Sequence, residues 1–250
     1  MATEQPLQYE IIKPTSTHTA TVILLHGLGD SSQGFAPVAM FLNKTVELPH
    51  VKWIIPTAPT RHVTGNKRTM RAWFDIKRLA DRQWGDDSDN EIDMEDSANK
   101  IKQIINNEIE STGISSERIV ICGLSQGGVM TLYTGLTFDK KLGGLAIMSS
   151  RIPIPTKIAS IASEHVKSLP MFWAHGEADK LVPPEWGIKS VDILVNELCV
   201  TRLAQNATDS SQAVPGISYF SYKDLEHELG EAELLELRKW ILKVVPIDTL

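Results

Sequence analysis

In the stretch "RIVICGLSQGGVM" (residues 118–130) a serine stands among glycines where an apolar β-type run gives way to a helical pattern. A turn needs one glycine at most, yet Gly123, Gly127 and Gly128 surround Ser125. A serine hydroxyl is a poor nucleophile until a base takes its proton and the product of its attack is stabilised. The pattern Gly-x-Ser-x-Gly supplies the steric half of that requirement. It bends the chain sharply between strand and helix and leaves the serine exposed at the carboxyl edge of a sheet. Side chains two residues to either side would collide in such a bend, and glycine removes both Cβ atoms. The helix that follows aims its N-terminal N–H groups and positive dipole end at the reacting site. The alternative is a plain glycine-rich turn, because five-residue matches arise by chance. The "IVI" before and the amphipathic helix after favour the nucleophile. Cys122 is set aside as a nucleophile because it precedes the elbow position and falls within the strand.

A serine nucleophile needs a base and an acid, in the chain order serine, acid, histidine. Three histidines follow Ser125: His165, His175 and His227. For the first two the available acids are Asp139, at the far end of the serine's own helix, and Glu164, inside the helical stretch "SIASEHVKSL". His227 follows the last strand-like run, "ISYFSYKD", on a short loop before the final helix, where it can reach back over the sheet. The loop after "MFWAHG" reads "EADKLVPPE" and offers Glu177, Asp179 and Glu185. Asp179 is preferred because it lies just past the strand and before an apolar "LVPP" that can fix the loop; Glu177 is second. The acid would accept the His227 ring N–H, set its tautomer and stabilise the imidazolium. His175 reads as a packed or hydrogen-bonded strand end. One oxyanion donor is expected from the N–H of Gln126, the residue after the nucleophile, and another from the loop "HGLGDSSQGF". A phosphate loop does not fit those glycines, since the spacing is not Gly-x-x-x-x-Gly-Lys.

These residues must be positioned by a sheet. The runs "TATVILLHG", "VKWIIPTAP", "RIVICG", "LGGLAIMSS", "LPMFWAHG" and "GISYFSYKD" are apolar on both faces, as strands of a buried, mostly parallel sheet are. Between them, "DMEDSANKIKQIINNEIESTG" places Ala98, Ile101, Ile105 and Ile109 on one helical face and stops at Gly113. "GGVMTLYTGL" carries Val129, Leu132, Tyr133 and Leu136 at helical spacing, and "EAELLELRKWILKVV" carries Leu237, Trp240, Ile241, Val244 and Val245. Strands alternating with helices imply right-handed crossovers and an α/β, doubly wound sheet with helices on both faces. No composition break divides the 250 residues, so residues 1–250 are expected to form one domain. The acidic segment "DRQWGDDSDNEIDMED" (residues 81–96) reads as a solvated loop leading into a helix, without calcium-loop spacing.

The net charge of -6 argues against a nucleic-acid partner. The two cysteines, Cys122 and Cys199, make neither a disulfide framework nor a zinc site. The start "MATEQPLQYEIIKP" lacks a secretory pattern, and no run approaches a membrane span, so a cytoplasmic location is expected.

The segments "LLHGLGD", "WIIPTAPTRHVT", "MRAWFDI", "GLSQGG", "HGEADKLVP" and the closing histidine loop, in this order over nearly the whole chain, resemble the acyl-protein thioesterase and lysophospholipase-carboxylesterase family. The resemblance implies an α/β-hydrolase fold with no cofactor and no metal. It places the triad on Ser125, Asp179 and His227 and the oxyanion donors on the N–H groups of Leu28 and Gln126. It implies an apolar acyl channel to which Leu28, Ile76, Leu79 and Leu181 contribute. Such enzymes remove long acyl chains from cysteine thioesters of membrane-associated proteins, and many cleave lysophospholipids and simple esters. The implied partners are an S-acylated protein or a lipid or ester substrate, with transient contact at a membrane surface. The short stretch between "MSS" and "LPMFW" leaves no room for a large cap domain, so a protein surface would be admitted.

The chain departs from the family at several positions. Where the family often has "S-x-W-L-P", this sequence reads "SSRIP", placing Arg151 beside the expected channel. A cation there disfavours an apolar tail unless it snorkels outward. Arg71 stands where the family usually has a small residue or proline, Lys77 follows Ile76, and Glu226 and Glu228 flank His227, an arrangement expected to raise its pKa. Two further readings follow: a broad carboxylesterase for short or medium acyl esters, and a non-catalytic binding module on the same fold.

Overall fold

The computed structural model describes residues 6–44, 47–79, 82–85, 89–204 and 214–247. From the N-terminus these form β1 (Tyr9–Ile12), β2 (Ala20–Leu25), α1 (Ser32–Asn43), β3 (Val51–Pro56), β4 (Thr60–Val63), β5 (Arg68–Arg71), α2 (Glu91–Thr112), β6 (Ile119–Leu124), α3 (Gln126–Leu136), β7 (Gly144–Met148), α4 (Ile158–Ile161), β8 (Pro170–Gly176), α5 (Pro184–Asn196), β9 (Gly216–Tyr222) and α6 (Glu231–Val244).

Seven strands make one sheet in the order β1-β3-β2-β6-β7-β8-β9. β1 pairs antiparallel with β3; the other pairs are parallel. Side chains alternate across the sheet. Ile23, Leu25, Ile119, Ile121, Met171 and Trp173 point to the face covered by α2, α3 and α5. Val22, Leu24, Val120, Cys122, Phe172 and Ala174 point to the face covered by α1 and α6. This is the α/β architecture expected from strands apolar on both sides. The chain leaves β2 for β3 on one side and later returns to β6 on the other. The carboxyl ends of β2 and β6 therefore flank a topological switch point, where ligands bind in open α/β sheets. The β7–β8 connection holds α4 and a short 3₁₀ turn and no cap domain.

α2, α3 and α6 carry the expected apolar faces. α2 begins at Asn90, whose side chain accepts the Asp93 N–H, and ends at Gly113 with φ 74°. Four features escape the periodicity. β1 and the β4–β5 hairpin are mostly exposed and carry little apolar pattern. α1 contains Gly34 and Pro37, and α5 opens on Pro184, so helix breakers obscure both. The expectation of a solvated acidic segment is corrected in part. Asp89 is buried, and on α2 Asp93 and Asp96 pair with Arg61 of β4 at 2.6 and 3.1 Å, which fastens the hairpin to the helix.

The loop that bears His227 is anchored by a buried acid. Glu233, fully buried in the first turn of α6, accepts the Gly230 N–H through Oε2 at 3.1 Å, while its Oε1 has no hydrogen-bond partner among the described residues. Burial pushes its pKa up to about 7, partly offset by that hydrogen bond. The folded state thus holds the proton more tightly than the unfolded chain, so this group's contribution is full below the ordinary carboxylate pKa and is lost as pH rises through about 7. Urea unfolding at pH 5 and pH 8 should show the wild type losing up to about 3 kcal/mol relative to Glu233→Gln across that interval. Parallel pH profiles for the two proteins would contradict the assignment.

Candidate active site

Ser125 closes β6 and caps α3 with φ 54° and ψ -118°, a conformation costly for a residue with a Cβ. Its N–H donates to Met148 O at 2.9 Å, and its carbonyl accepts from Val129 N–H at 3.1 Å and from the Ser150 hydroxyl at 2.7 Å. The flanking glycines make room for this bend. A Cβ on Gly123 would stand 2.2 Å from Gly127 O, and one on Gly127 would stand 2.2 Å from Leu25 O. The clearance is therefore against backbone, both of the helix and of β2, rather than between the two side-chain positions.

The structure brings Ser125, His227 and Asp179 into one line. The Ser125 hydroxyl donates to His227 Nε2 at 2.9 Å, and His227 Nδ1–H donates to Asp179 Oδ2 at 2.7 Å. Asp179 follows β8, and His227 follows β9. Backbone bonds stitch their loops together: Glu177 N–H to Tyr222 O at 3.0 Å and Ala178 N–H to Leu225 O at 3.0 Å. A Cβ on Gly176 would meet Leu225 O at 2.2 Å, so glycine permits that close approach.

Asp179 is buried, and its Oδ1 accepts the N–H groups of Leu181 and Val182, each at 2.9 Å. These bonds hold the loop that was expected to be fixed by apolar "LVPP" packing. Burial alone would raise the Asp179 pKa. Hydrogen bonds from His175, His227 and the Val182 N–H outweigh it and hold the carboxyl well below the usual range. It is ionised wherever an imidazole titrates. Glu177 and Glu185 face solvent. His175 is fully buried and hydrogen-bonds Val182 O through Nε2 at 2.8 Å, as its strand-end reading anticipates. His165 lies on the surface against Asp139 O. Glu226 and Glu228 are exposed. Burial pushes the Cys122 thiol up and leaves it inert within the core.

The serine opens onto a cavity of about 630 Å³. All of Leu28, Gln126, Ile76, Leu79, Arg151 and Leu181 line it. Leu79 and Leu181 are exposed at 38% and 73%, which puts them at its mouth. Phe74, Val129 and Trp186 add apolar wall beyond the channel residues that the resemblance implies.

Arg151 lies in the cavity wall, beside the expected channel. It does not snorkel outward; it is buried and forms an ion pair with Asp89, while its Nη1 donates to Ile152 O at 3.1 Å. Asp89 also pairs with Arg82, another cavity residue, and its backbone bridges Ile76. The acid that receives Arg151 sits in the segment read as solvated loop, which is why spacing did not reveal it. Non-glycine residues with positive φ, Ser149 at 43° and Ile154 at 33°, flank the Arg151 turn. Arg71 and Lys77 face solvent.

A serine on a strained strand-to-helix elbow, at the switch point of a mostly parallel sheet, defines a serine hydrolase of the α/β-hydrolase class. Comparison with known proteins narrows the class. Residues 7–244 match the family model described as phospholipase/carboxylesterase, and the chain belongs to that family. It is 39% identical over 240 residues to acyl-protein thioesterase 1 of Cryptococcus neoformans var. neoformans, covering 96% of this chain and 98% of the relative. It is 39% identical over 222 residues to acyl-protein thioesterase 1 of Schizosaccharomyces pombe, covering 88% and 96%. Among solved structures, Arabidopsis thaliana SOBER1 superposes with a TM-score of 0.77 at 30% identity, covering 90% of this chain and 99% of that one.

The glycine clearances give a direct test. Gly127→Ala forces a Cβ into Leu25 O and should cost about 3 kcal/mol or more, since backbone cannot move aside as a side chain can. A lowered urea midpoint, or failure to accumulate folded protein, is the expected readout. An unchanged midpoint would mean that the elbow is not as tight as described.

Proposed function

We propose that the chain is an acyl thioesterase whose triad is Ser125, His227 and Asp179 and whose oxyanion donors are the N–H groups of Leu28 and Gln126. The observation that carries this reading is the continuous hydrogen-bonded line from Ser125 Oγ to Asp179 Oδ2, opening onto an apolar-walled cavity. Ser125 Oγ attacks the thioester carbonyl carbon as its proton passes to His227 Nε2. The carbonyl oxygen, now an oxyanion, sits between the two N–H donors. Collapse breaks the carbon–sulfur bond, and the departing thiolate takes the proton from His227. Water then attacks the acyl-enzyme with His227 as base, which releases the carboxylic acid and returns the proton to Ser125.

S-acylated proteins are the proposed substrate class, since the similar Cryptococcus and Schizosaccharomyces proteins are named acyl-protein thioesterases. Lysophospholipids present the same acyl carbonyl and are proposed as secondary substrates. Leu79 and Leu181 at the mouth suit transient contact with a lipid surface that delivers the acyl chain. No described helix is long and apolar enough to cross a membrane. We place the enzyme in the cytoplasm and treat residues 1–250 as one α/β-hydrolase domain.

Ser125→Ala should abolish hydrolysis of an S-palmitoylated peptide and labelling by a fluorophosphonate. Asp179→Asn should lower kcat by about 10⁴ with little change in KM, because the wrong histidine tautomer is then favoured. Full activity in either variant would overturn the mechanism.

A second reading, a carboxylesterase for short or medium acyl esters, is favoured by one observation: Arg151, ion-paired with Asp89 behind it, lines the cavity. An apolar chain end laid against that pair strips water from it without offering a hydrogen bond. The similar Arabidopsis protein is named carboxylesterase SOBER1. Comparing kcat/KM over acetyl to palmitoyl thioesters separates the two. A maximum at acetyl or butyryl selects the second reading, and a maximum at palmitoyl selects the first.

A further inference from the structure

His26 follows β2 directly, is fully buried, and opens the proposed oxyanion loop two residues before Leu28. Its Nε2 lies 3.0 Å from the Ala58 N–H, and its Nδ1 lies 2.7 Å from Gly27 O. A backbone N–H can only donate, so Nε2 must be the bare acceptor. A carbonyl can only accept, so Nδ1 must carry the proton. Both bonds are satisfied together by the neutral Nδ1–H tautomer and by no other form. Burial lowers the His26 pKa, which favours that neutral form.

The consequence follows from peptide geometry. Gly27 O and Leu28 N belong to one planar unit, and no cis peptide is present among the described residues. In a trans peptide the C=O and N–H point in opposite directions. Drawing Gly27 O toward the imidazole therefore turns the Leu28 N–H away from it. Gly27 packs against the nucleophile, since a Cβ there would lie 3.6 Å from Ser125 Cβ, and Gly27, Leu28, Ser125 and Gln126 line the same cavity. Glycine offers little resistance to a peptide flip, which would put a carbonyl where the donor belongs. The Asp30 N–H also reaches Gly27 O, at 3.3 Å, a longer bond than that from the imidazole.

The same histidine is tied to the second donor residue. Trp73 Nε1–H donates to His26 O at 2.9 Å, and the two rings lie 5.2 Å apart. The Trp73 backbone N–H donates to Gln126 Oε1 at 2.9 Å, and Gln126 Nε2 donates to Phe74 O at 2.8 Å. One buried network thus runs from Ala58 through His26 and Trp73 to Gln126.

We infer that His26 is a positioning residue for the oxyanion site: its neutral ring holds the Gly27–Leu28 peptide so that the Leu28 N–H faces the reacting carbonyl. This rests on the oxyanion role proposed above for Leu28. His26→Ala and His26→Gln should lower kcat by about 10²–10³, the usual worth of one oxyanion donor, while KM stays within a few-fold. Affinity for a trifluoromethyl ketone, which forms an oxyanion on Ser125, should fall by a similar factor, with inhibition by the free fatty acid unchanged. His26→Asn keeps an N–H near the position of Nδ1 and should recover much of the loss.

Equal kcat in folded His26→Ala and wild type would overturn the inference, as would kcat loss in His26→Asn equal to that in His26→Ala at matched thermal stability. A measurement on the unaltered protein guards against misfolding of the variants. Nitrogen-15 NMR of the His26 ring at about pH 8, above the ordinary imidazole pKa, should show the Nδ1–H tautomer, and an Nε2–H tautomer there would contradict the proposal. If Ser125→Ala retains turnover, the functional reading itself fails; if Ser125→Ala is inactive and His26→Ala is not, only the positioning role fails.

Discussion

The backbone of Ser125 is the constraint on which the rest of the site depends. A serine held at φ 54° carries local strain of about 1–3 kcal/mol, and it persists only where the surroundings over-determine it. Those surroundings are specific. β6 lies between β2 and β7, so Ser125 is pinned by its N–H to Met148 O and by the Ser150 hydroxyl on its carbonyl. Gly127 lets α3 approach the end of β2 so closely that no side chain fits between them. The same approach sets Gly27 against the serine and brings the β2 loop into the cavity. Strain, sheet order and the geometry of the proposed oxyanion site are one arrangement seen from three sides.

The proposed base and acid, His227 and Asp179, reach the serine from the ends of separate parallel strands. β8 and β9 end side by side, and their loops are tied by backbone hydrogen bonds rather than by side-chain packing alone. Asp179 commits one oxygen to its own loop and the other to His227, so the carboxylate is oriented before substrate arrives. On the far side of the cavity the Arg151–Asp89 pair joins the loop after β7 to the residue that precedes the N-cap of α2. Replacing Asp89 leaves the buried Arg151 guanidinium without its counterion, so the pair also fastens that wall.

Much of this was legible in the sequence because it is written in local patterns. Strands apolar on both faces announced a parallel sheet, and the glycine spacing around Ser125 announced the elbow. The placement of the available acids and the loop after the last strand set His227 above His165 and His175, and loop position set Asp179 above Glu177. What escaped was non-local or masked. α1 and α5 carry proline in or at the start of the helix, and the β4–β5 hairpin has almost no apolar pattern. The partner of Arg151 lies 62 residues away in an acidic run whose composition reads as solvent-facing. Burial of a charge is decided by tertiary contacts, and no spacing rule records them. His26 was visible as part of "HGLGD", yet the orientation of its ring required the fold.

The central claim is that Ser125 carries the acyl group between the two halves of the reaction. The direct measurement is acid-quenched mass spectrometry of the enzyme mixed in excess with an acyl thioester, followed by peptide mapping. The account predicts an added acyl mass on the peptide containing Ser125 within the first turnover, decaying as free acid forms. Turnover with no adduct at any time, or with the acyl group on Cys199 and none on Ser125, would contradict it.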